Sequence, residues 1–241
     1  MKAVFIADAH LDGGTSDGYR YLMRFLGSIQ GSADELFILG DFFDFWFAGK
    51  NGVYPGFSDI VERLLEMQRT GTNVSFFEGN HDFFLGDYFE PYGIRVFSEG
   101  AMIDLDGKRL FLSHGDTVDT SNKAYLLLRK FFRSRFFYVV QKKFPSWLVW
   151  SGGKGFSRMS RINEKPLSQE LDDRINMFAM EKFEGGVDAV ILGHFHSPRF
   201  EQHGIHDRVK TFAILDAWKK DHSYLLYDDG EFLMKSGIPS D

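Results

Sequence analysis

Cysteine is absent from this chain of 241 residues. Its absence excludes disulfide bonds, zinc–thiolate sites, iron–sulfur clusters and thiol nucleophiles, and it fits a reducing compartment. Long apolar runs are also absent, since no stretch approaches the ~18 apolar residues of a membrane span. The N-terminal stretch, which carries Lys2, is too short and too soon charged to be a signal peptide. We therefore expect a cytoplasmic protein.

Acidic residues are absent from one window, residues 120–163, although the whole chain has a net charge of −6. This window holds ten basic residues, so the rest of the chain, with 18 basic and 34 acidic residues, has a net charge of −16. A basic segment in an acidic body suggests a surface for an anionic partner, although an ordinary basic helical face has the same composition. The ten residues are Lys123, Arg129, Lys130, Arg133, Arg135, Lys142, Lys143, Lys154, Arg158 and Arg161.

Short apolar runs bounded by Gly, Asp or Asn have the length of buried strands. They lie at residues 2–7, 35–39, 73–77, 109–113 and 189–192. Two stretches between the first three runs carry apolar residues at helical spacing, at residues 19–30 and 58–70. An alternation of strands and helices favours a mostly parallel sheet, so we expect an α/β fold.

Closely spaced strands replace this alternation after Ile94 and again after Phe200. Gly107 and the pair Asp229-Gly230 are typical of hairpin turns, which predicts antiparallel additions to the parallel core. The length and the 44% of hydrophobic residues fit a single domain of residues 1–241.

A helical pattern replaces the strand pattern between Thr120 and Phe183. Proline and paired glycines punctuate it, and helices are expected at residues 124–137, 137–144 and 169–183. We interpret residues from about 118 to about 183 as a helical cap inserted between two strands of the core.

Five polar clusters stand at or directly after the ends of apolar runs. In open α/β sheets, ligands gather outside the carboxyl ends of the strands, and glycines beside such clusters allow tight turns. The clusters therefore predict one shared site. They are Asp8-Ala9-His10, Gly40-Asp41-Phe42-Phe43-Asp44, Gly79-Asn80-His81-Asp82, His114-Gly115-Asp116 and Gly193-His194-Phe195-His196.

Two of these clusters contain a pair of side chains two residues apart, Asp8 with His10 and His194 with His196. In an extended chain such a pair points to the same side, so each pair can face a common ion. Carboxylate, imidazole and amide groups without sulfur suit Mn²⁺, Fe²⁺ or Zn²⁺. We predict two divalent metal ions, with Mn²⁺ favoured.

The ordered set Asp-x-His, Gly-Asp-x-x-Asp, Gly-Asn-His-Asp, His-Gly and Gly-His-x-His resembles the calcineurin-like metallophosphoesterase superfamily. The resemblance covers residues 1–117 and 188–226, and it implies a four-layer αββα sandwich. It also implies that two metal ions polarise the phosphoryl oxygens and activate a water. The implied ligands are Asp8, His10 and His196 for one metal, Asn80, His114 and His194 for the other, and Asp41 as the bridge.

The resemblance also implies catalytic roles for His81 and Asp44. The matching histidine of the superfamily contacts the phosphate and can protonate the leaving group. Asp44, the second acid of Gly-Asp-x-x-Asp, is expected to orient His81 and keep it charged. Asp82 is expected to be structural, and Asp116 to make turn hydrogen bonds.

Longer stretches are similar to the UDP-2,3-diacylglucosamine hydrolases of lipid A biosynthesis. The similarity includes residues 42–47, 80–86 and 114–125 and a helical insert of matching size and place. It implies cleavage of the diphosphate of a UDP-linked diacyl sugar to UMP and 2,3-diacylglucosamine 1-phosphate. The substrate contacts expected beside the metals are Asn80, His81, Asn122, Tyr125, Arg158, Arg161 and Lys165.

Eight aromatic residues are interleaved with basic ones between Arg129 and Lys154. Such a segment can bury acyl chains on one face and meet an anionic membrane surface with the other. The same aromatic residues could instead pack the cap onto the body. If the segment meets a membrane surface, the chain would lie on the cytoplasmic face of the inner membrane.

One residue departs from the hydrolases of this lipid, which carry Arg after the metal-binding Asn, where this chain has His81. A phosphate leaving group needs little protonation, so an arginine can serve there as a charge clamp, whereas histidine suits leaving groups that need a proton. A phosphodiesterase or phosphatase for another nucleotide or phospholipid is therefore the second hypothesis, and a non-enzymatic scaffold the third. Nucleic acid is not an expected partner, because the acidic body opposes a long polyanion.

Overall fold

Two β-sheets and the helices that cover them make up the fold in this computed structural model. The structure describes residues 1–14, 16–46, 53–144, 150–152, 167–205 and 208–239. The strands are β1 (Lys2–Ile6), β2 (Glu35–Leu39), β3 (Asn73–Phe77), β4 (Arg95–Phe97), β5 (Ala101–Leu105), β6 (Lys108–Ser113), β7 (Ala189–Leu192), β8 (Arg199–Ile205), β9 (Arg208–Ile214), β10 (Ser223–Asp228) and β11 (Glu231–Ser236). The helices are α1 (Asp17–Ile29), α2 (Ser58–Arg69), α3 (Gly86–Phe89), α4 (Lys123–Phe132), α5 (Arg135–Gln141), α6 (Gln169–Glu184) and α7 (Trp218–Asp221).

The first sheet has the order β11-β10-β1-β2-β3-β4, and the second has the order β5-β6-β7-β9-β8. Strands β1 to β4 are parallel, and β6, β7 and β9 are parallel. The remaining pairs are antiparallel. The predicted parallel core with antiparallel additions is therefore confirmed.

The alternation of side chains along each strand separates three apolar clusters. In β1, Val4 and Ile6 pack against the layer of α1 and α2, whereas Ala3 and Phe5 face the second sheet. In β7, Ala189 and Ile191 share that central cluster, while Val190 and Leu192 pack under α6. Three clusters between layers require four layers, so the fold is the expected αββα sandwich.

Both predicted hairpins turn on an Asp-Gly pair in the left-handed region. Asp106 and Gly107 have φ of 55° and 76°, and Asp229 and Gly230 have φ of 47° and 89°. Positive φ at both central residues matches the right-handed twist of the flanking strands, which is why Asp-Gly favours this turn.

The helical segment between β6 and β7 differs from the expectation in one respect. The two helices expected over residues 124–137 and 137–144 are α4 and α5, but they are separated at Arg133 and Ser134 and not at residue 137. Ser134 caps α5, because its Oγ accepts a hydrogen bond from the amide of Phe137 at 3.2 Å. The apolar periodicity continues across this break and conceals it in the sequence. Among the described residues, no helix has the length and apolar character needed to cross a membrane.

Candidate metal centre

The seven predicted metal ligands meet at the carboxyl ends of five strands. Asp8 and His10 follow β1, Asp41 follows β2, Asn80 follows β3, His114 follows β6, and His194 and His196 follow β7. Strands β1, β2 and β3 are parallel neighbours, and so are β6 and β7. Because the two sheets pack face to face, the side chains after these ends converge on one place.

One group of side chains surrounds His196. Its Nε2 atom lies 3.1 Å from Asp8 Oδ1 and 3.4 Å from Nε2 of His10. The rings of His10 and His196 are nearly perpendicular, at 85°. Two imidazole nitrogens and a carboxylate oxygen that converge in this way have the chemistry and the spacing of a divalent cation site.

A second group surrounds His114. Its Nε2 atom lies 3.2 Å from Asn80 Oδ1, 3.2 Å from Nδ1 of His194 and 3.5 Å from Asp41 Oδ2. Asp41 Oδ2 also lies 3.9 Å from Nε2 of His10. Asp41 therefore stands between the two groups, as a bridging carboxylate must, and the donors fit two divalent cations.

Five of these seven residues have backbone conformations in the left-handed region, which residues with a side chain rarely adopt. Each such residue costs of order 1–3 kcal/mol, and it persists only where the surroundings fix it. Here the main chain is fixed by bonds such as the one from the amide of His194 to Asp8 Oδ2, at 2.9 Å. The φ angles are 53° at Asp8, 45° at His10, 49° at Asp41, 70° at His194 and 48° at His196.

Asp82 fixes the turn that carries Asp41. Its Oδ1 accepts from the amides of Asp41 and Gly79, both at 2.9 Å. Its Oδ2 accepts from the amides of Phe42 and Phe43, at 2.7 and 3.1 Å. Burial and the charge of Asp41 raise the pKa of Asp82 to about 8, although these donors act to lower it. Asp82 is thus a structural carboxylate, as the sequence indicated.

Two positions in the site must be glycine because neighbouring atoms lie too close for a side chain. A Cβ atom at Gly79 would overlap the carboxylate of Asp41, and one at Gly40 would overlap the ring of His114. The loop after β3 can therefore approach Asp41, and His114 can approach the end of β2, only because these two positions lack a side chain.

Hydrogen bonds to main-chain carbonyls set the tautomers of two histidines. The Nδ1 atom of His114 lies 2.9 Å from the carbonyl oxygen of Leu39, and a carbonyl can only accept, so Nδ1 carries the proton. The Nε2 lone pair of neutral His114 then points into the site. His81 is held in the same way, since its Nδ1 donates to the carbonyl of Asp44 at 3.0 Å.

The position of Asp44 corrects one expectation. Its carboxylate was expected to orient His81, but it is the main-chain oxygen of Asp44 that accepts the hydrogen bond from His81 Nδ1. The carboxylate oxygen Oδ1 lies instead 3.4 Å from Nδ1 of His10. The physical reason is the turn after β2, which directs the carbonyl of Asp44 toward His81 and its side chain toward β1. His81 Nε2 faces the site, 3.9 Å from Asp41 Oδ2.

The buried charges in the site act strongly on one another. Burial acts to raise the pKa of Asp41, but the charges of His114, His81 and His10 hold it well below its usual range. Burial lowers the pKa of His114, yet Asp41, Asp8 and Asp116 together raise it to about 10. Burial and the neighbouring His114 lower the pKa of His194 to about 4, which keeps its imidazole neutral and able to bind a metal.

The expected substrate contacts fall into two groups. Asn122 caps α4, since its side chain accepts from the amide of Tyr125 at 3.1 Å, and the hydroxyl of Tyr125 donates to Asp116 at 2.8 Å. Arg158, Arg161 and Lys165 lie outside the described residues. A cavity of about 140 Å³ opens beside the metal ligands, and it is lined by Asn80, Phe83, Tyr125, Leu128, Arg129, Phe132 and Arg133.

The aromatic residues of α4 and α5 divide between two surroundings. Phe132 and Phe137 approach the ring of Phe83, and Tyr138 packs on Phe84 with centroids 4.7 Å apart, which joins the helices to the body. Others are exposed and lie among exposed basic residues such as Lys130. Among the described residues, the exposed apolar face of this segment is formed by Leu127, Leu128, Phe131, Phe136, Val139 and Phe144.

Two arginines near the site carried no motif in the sequence. Arg129 donates to Asp116 at 2.6 Å and to both carboxylate oxygens of Glu99. Arg133 reaches the ends of β3 and β4. Their spacing of four residues within the predicted helix placed them on one face, but no local pattern identified the partners of that face.

Comparisons with known proteins agree with this geometry. The family model for calcineurin-like phosphoesterases matches residues 1–198. A protein of Aromatoleum aromaticum named UDP-2,3-diacylglucosamine hydrolase is 30% identical over 231 residues, which are 95% of this chain and 94% of the relative. One of the same name from Aeromonas salmonicida is 29% identical over 96% of this chain and 91% of the relative. The solved structure of a novel archaeal phosphodiesterase shares the fold, with a TM-score of 0.50, 13% identity and coverage of 98% of this chain and 99% of that one.

Proposed function

The chain belongs to the calcineurin-like phosphoesterase family and is a metal-dependent hydrolase, and we propose that it cleaves the diphosphate of UDP-2,3-diacylglucosamine. The products would be UMP and 2,3-diacylglucosamine 1-phosphate, also called lipid X. The observation that carries this proposal is similarity along nearly the whole chain, helical segment included, to proteins named for this substrate. A metal centre alone would not select a substrate, because the same fold serves many esters.

The ligands proposed for the two cations follow the two groups of side chains. Asp8, His10 and His196 would hold one cation, Asn80, His114 and His194 the other, and Asp41 would contact both. Such cations, when bound, polarise phosphoryl oxygens and lower the pKa of an attacking water. Mn²⁺ is the proposed ion, and Fe²⁺ and Zn²⁺ are the alternatives, because carboxylate, amide and imidazole donors without sulfur suit all three.

His81 is proposed as the residue that handles the leaving group. In the hydrolysis, water oxygen forms a new bond to phosphorus as the bridging P–O bond breaks, and one proton of the water is lost. The Nδ1 proton of His81 is committed to the carbonyl of Asp44. Only Nε2, which faces Asp41 and the site, can therefore contact the phosphate and pass a proton to the departing oxygen.

The helical segment at about residues 118–183 is proposed to be a cap that receives the lipid. Its exposed apolar residues would meet acyl chains, and its basic residues would meet anionic headgroups of the inner membrane. Tyr125 lines the cavity beside Asn80, which supports the proposal that its ring contacts the sugar or an acyl chain. Asn122, Arg158, Arg161 and Lys165 remain proposed contacts for phosphate or sugar.

A second candidate function follows from His81 itself. A diphosphate substrate has a phosphate leaving group that needs little protonation, so a proton donor at this position favours esters with poorer leaving groups. Another nucleotide diester or a phospholipid is the alternative substrate class. The seven intact ligand side chains oppose the third possibility, a scaffold without activity.

The test is a direct assay of product. Purified protein loaded with Mn²⁺ is mixed with UDP-2,3-diacylglucosamine in detergent micelles, and UMP is followed by chromatography. We expect UMP and lipid X in equal amounts, and an Asp41→Asn variant without turnover. Absence of UMP together with rapid hydrolysis of soluble diesters would exclude the lipid substrate and favour the second candidate. Activity unchanged in Asp41→Asn would exclude the proposed centre.

A further inference from the structure

Arg133, directly after α4, reaches back to the ends of two strands of the first sheet. One guanidinium nitrogen donates to the carbonyls of Gly79 and Glu78, at 2.8 and 3.2 Å. The other donates to the carbonyl of Ser98 at 2.6 Å and to Glu78 Oε2 at 3.1 Å. Gly79 precedes the proposed ligand Asn80, and Ser98 follows β4. A residue of the helical segment thus holds the chain where a metal ligand begins.

The contact between Arg133 and Glu78 is largely shielded from water, so the directions of its hydrogen bonds matter for stability. The side chains of Arg133 and Glu78 are 12% and 6% exposed. Burying a guanidinium is costly unless carboxylate and carbonyl acceptors meet its N–H groups. Here the two terminal nitrogens of Arg133 have such acceptors, whereas the buried Nε has no hydrogen-bond partner among the described residues. Burial raises the pKa of Glu78, and the charge of Arg133 opposes this rise. The planar fork matches acceptors that must keep fixed positions.

Glu78 extends the effect along the ligand loop, residues 79–85. Its Oε1 accepts from the amide of Leu85 at 2.8 Å, at the far end of that loop. The loop, which carries Asn80 and His81, is therefore closed by Glu78, and Glu78 is in turn held by Arg133. Asp82 fixes the same loop to the turn of Asp41 from the other side.

The preceding turn of α4 repeats the arrangement at the other strand end. Arg129 donates to Asp116 at 2.6 Å, two residues after the proposed ligand His114. Tyr125 donates to the same carboxylate at 2.8 Å. Tyr125 and Arg129 of α4 and Arg133, which caps its C-terminus, are spaced by four residues and lie on one face. That face thus contacts the loops of both Asn80 and His114.

We infer that Arg133 is a positioning residue for Asn80 and His81, so that the helical segment is a structural part of one metal site. This inference rests on the proposed metal centre but not on the lipid substrate. Without Arg133, the carbonyls of Glu78 and Gly79 lose their donor, and the ligand loop can shift. The site of Asn80, His114 and His194 then loses affinity, while that of Asp8, His10 and His196, which Arg133 does not touch, keeps it.

The experiment measures metal binding rather than turnover. Mn²⁺ is titrated into metal-free wild type, Arg133→Ala and Arg133→Lys by calorimetry, and bound Mn²⁺ is counted by electron paramagnetic resonance. We expect two ions in wild type and a loss of about 10- to 100-fold in affinity at one site in Arg133→Ala. Arg133→Lys should be intermediate, because lysine keeps the charge but cannot contact all the carbonyls. Mn²⁺ affinities in Arg133→Ala that equal those of wild type at both sites would overturn the inference.

Two further variants separate positioning from folding. Arg95→Ala also removes an arginine–carboxylate pair of the same sheet, Arg95 with Glu35 at 2.9 Å, but at the other end of β4, and it should bind two ions normally. The double variant Glu78→Gln/Arg133→Met removes both buried charges, so it is informative if Arg133→Ala fails to fold. It should also lose one site selectively, and two unchanged sites in the folded double variant would again overturn the inference. Arg133→Ala could instead bind two Mn²⁺ ions normally and release UMP more slowly because KM is raised. That result would also overturn the inference, since it would show that Arg133 holds the substrate.

Discussion

Asp44 contacts two imidazoles through two different groups. Its carboxylate lies 3.4 Å from Nδ1 of His10, and its carbonyl accepts a hydrogen bond from Nδ1 of His81 at 3.0 Å. The first approach is an ion-pair distance without hydrogen-bond geometry, and the second is a hydrogen bond. One residue can therefore act on a proposed metal ligand through the charge of its side chain and on a proposed proton donor through its main chain. Replacing the side chain should disturb the first function and spare the second.

We predict that Asp44→Ala weakens Mn²⁺ binding by about 10- to 100-fold, because the carboxylate charge 3.4 Å from His10 Nδ1 is lost. His81→Ala should leave metal affinity near the wild-type value and lower kcat by about 100-fold or more, the usual contribution of a general acid. Calorimetric Mn²⁺ titration and steady-state kinetics at saturating Mn²⁺ compare the two variants. An Asp44→Ala variant with normal Mn²⁺ affinity would show that His10 needs no support from this carboxylate.

Asp82 should be required for stability as well as for metal binding. An asparagine there presents an N–H₂ group to amides that need an acceptor, so at least one buried donor of Asp41, Phe42, Phe43 or Gly79 loses its partner. We expect Asp82→Asn to lower the free energy of unfolding by about 1–3 kcal/mol, measured with urea on metal-free protein. The exposed Asp104→Asn, which affects a single turn bond, is the control and should unfold as wild type does.

The fold and the convergence of the seven proposed ligands could be predicted because both depend on local sequence patterns. Each cluster stood at the end of an apolar strand, and side-chain alternation such as that of Val4 and Phe5 separates the layers. Parallel pairing of β1, β2 and β3 then places the loops that carry Asp8, Asp41 and Asn80 at the same edge of the sheet.

The contacts between the helical segment and the site could not be predicted in the same way. Arg129 reaches Glu99 and Arg133 reaches Glu78 across 30 and 55 residues of sequence, and each arginine alone resembles a basic surface residue. The group through which Asp44 orients His81 could not be predicted for a related reason. Its carbonyl and its carboxylate diverge at the turn after β2, and no residue pattern encodes that direction.

Metal binding should release a proton from His114. The surrounding carboxylates outweigh burial and raise its pKa to about 10, so metal-free protein carries this proton at pH 7. A cation can bind Nε2 only after the proton leaves, and affinity at this site should therefore rise with pH, by up to about tenfold per unit below pH 10. Calorimetry at pH 7 in two buffers of different ionisation enthalpy counts the protons. His114→Asn keeps a ligand oxygen without titrating, so it should release one proton fewer.

The exposed apolar face of α4 and α5 should carry membrane association. Phe136 and Leu127 are 70% and 71% exposed, and a charge placed there would oppose insertion among lipid headgroups. We predict that Phe136→Glu reduces co-sedimentation with vesicles of anionic phospholipid and slows hydrolysis of the lipid substrate, while a soluble diester is cleaved at the wild-type rate. Val209→Glu alters another exposed apolar residue, 61% exposed and outside the helical segment, and should bind vesicles normally. If both variants lost vesicle binding to the same extent, the effect would be due to the added negative charge and not to the apolar face.

His81 should determine which leaving groups the site accepts. Its Nε2 can give up a proton, whereas an arginine at the same position remains charged and only clamps the phosphate. A His81→Arg variant should therefore retain cleavage of diphosphates, whose leaving group is a weak base, and lose cleavage of diesters in proportion to the basicity of the departing alcohol. Rates for a series of aryl and alkyl uridine phosphates, plotted against leaving-group pKa, give this dependence. The slope should be shallow for wild type, because the proton neutralises the departing oxygen, and steeper for His81→Arg. Parallel slopes would mean that His81 transfers no proton and acts, as an arginine would, through its charge.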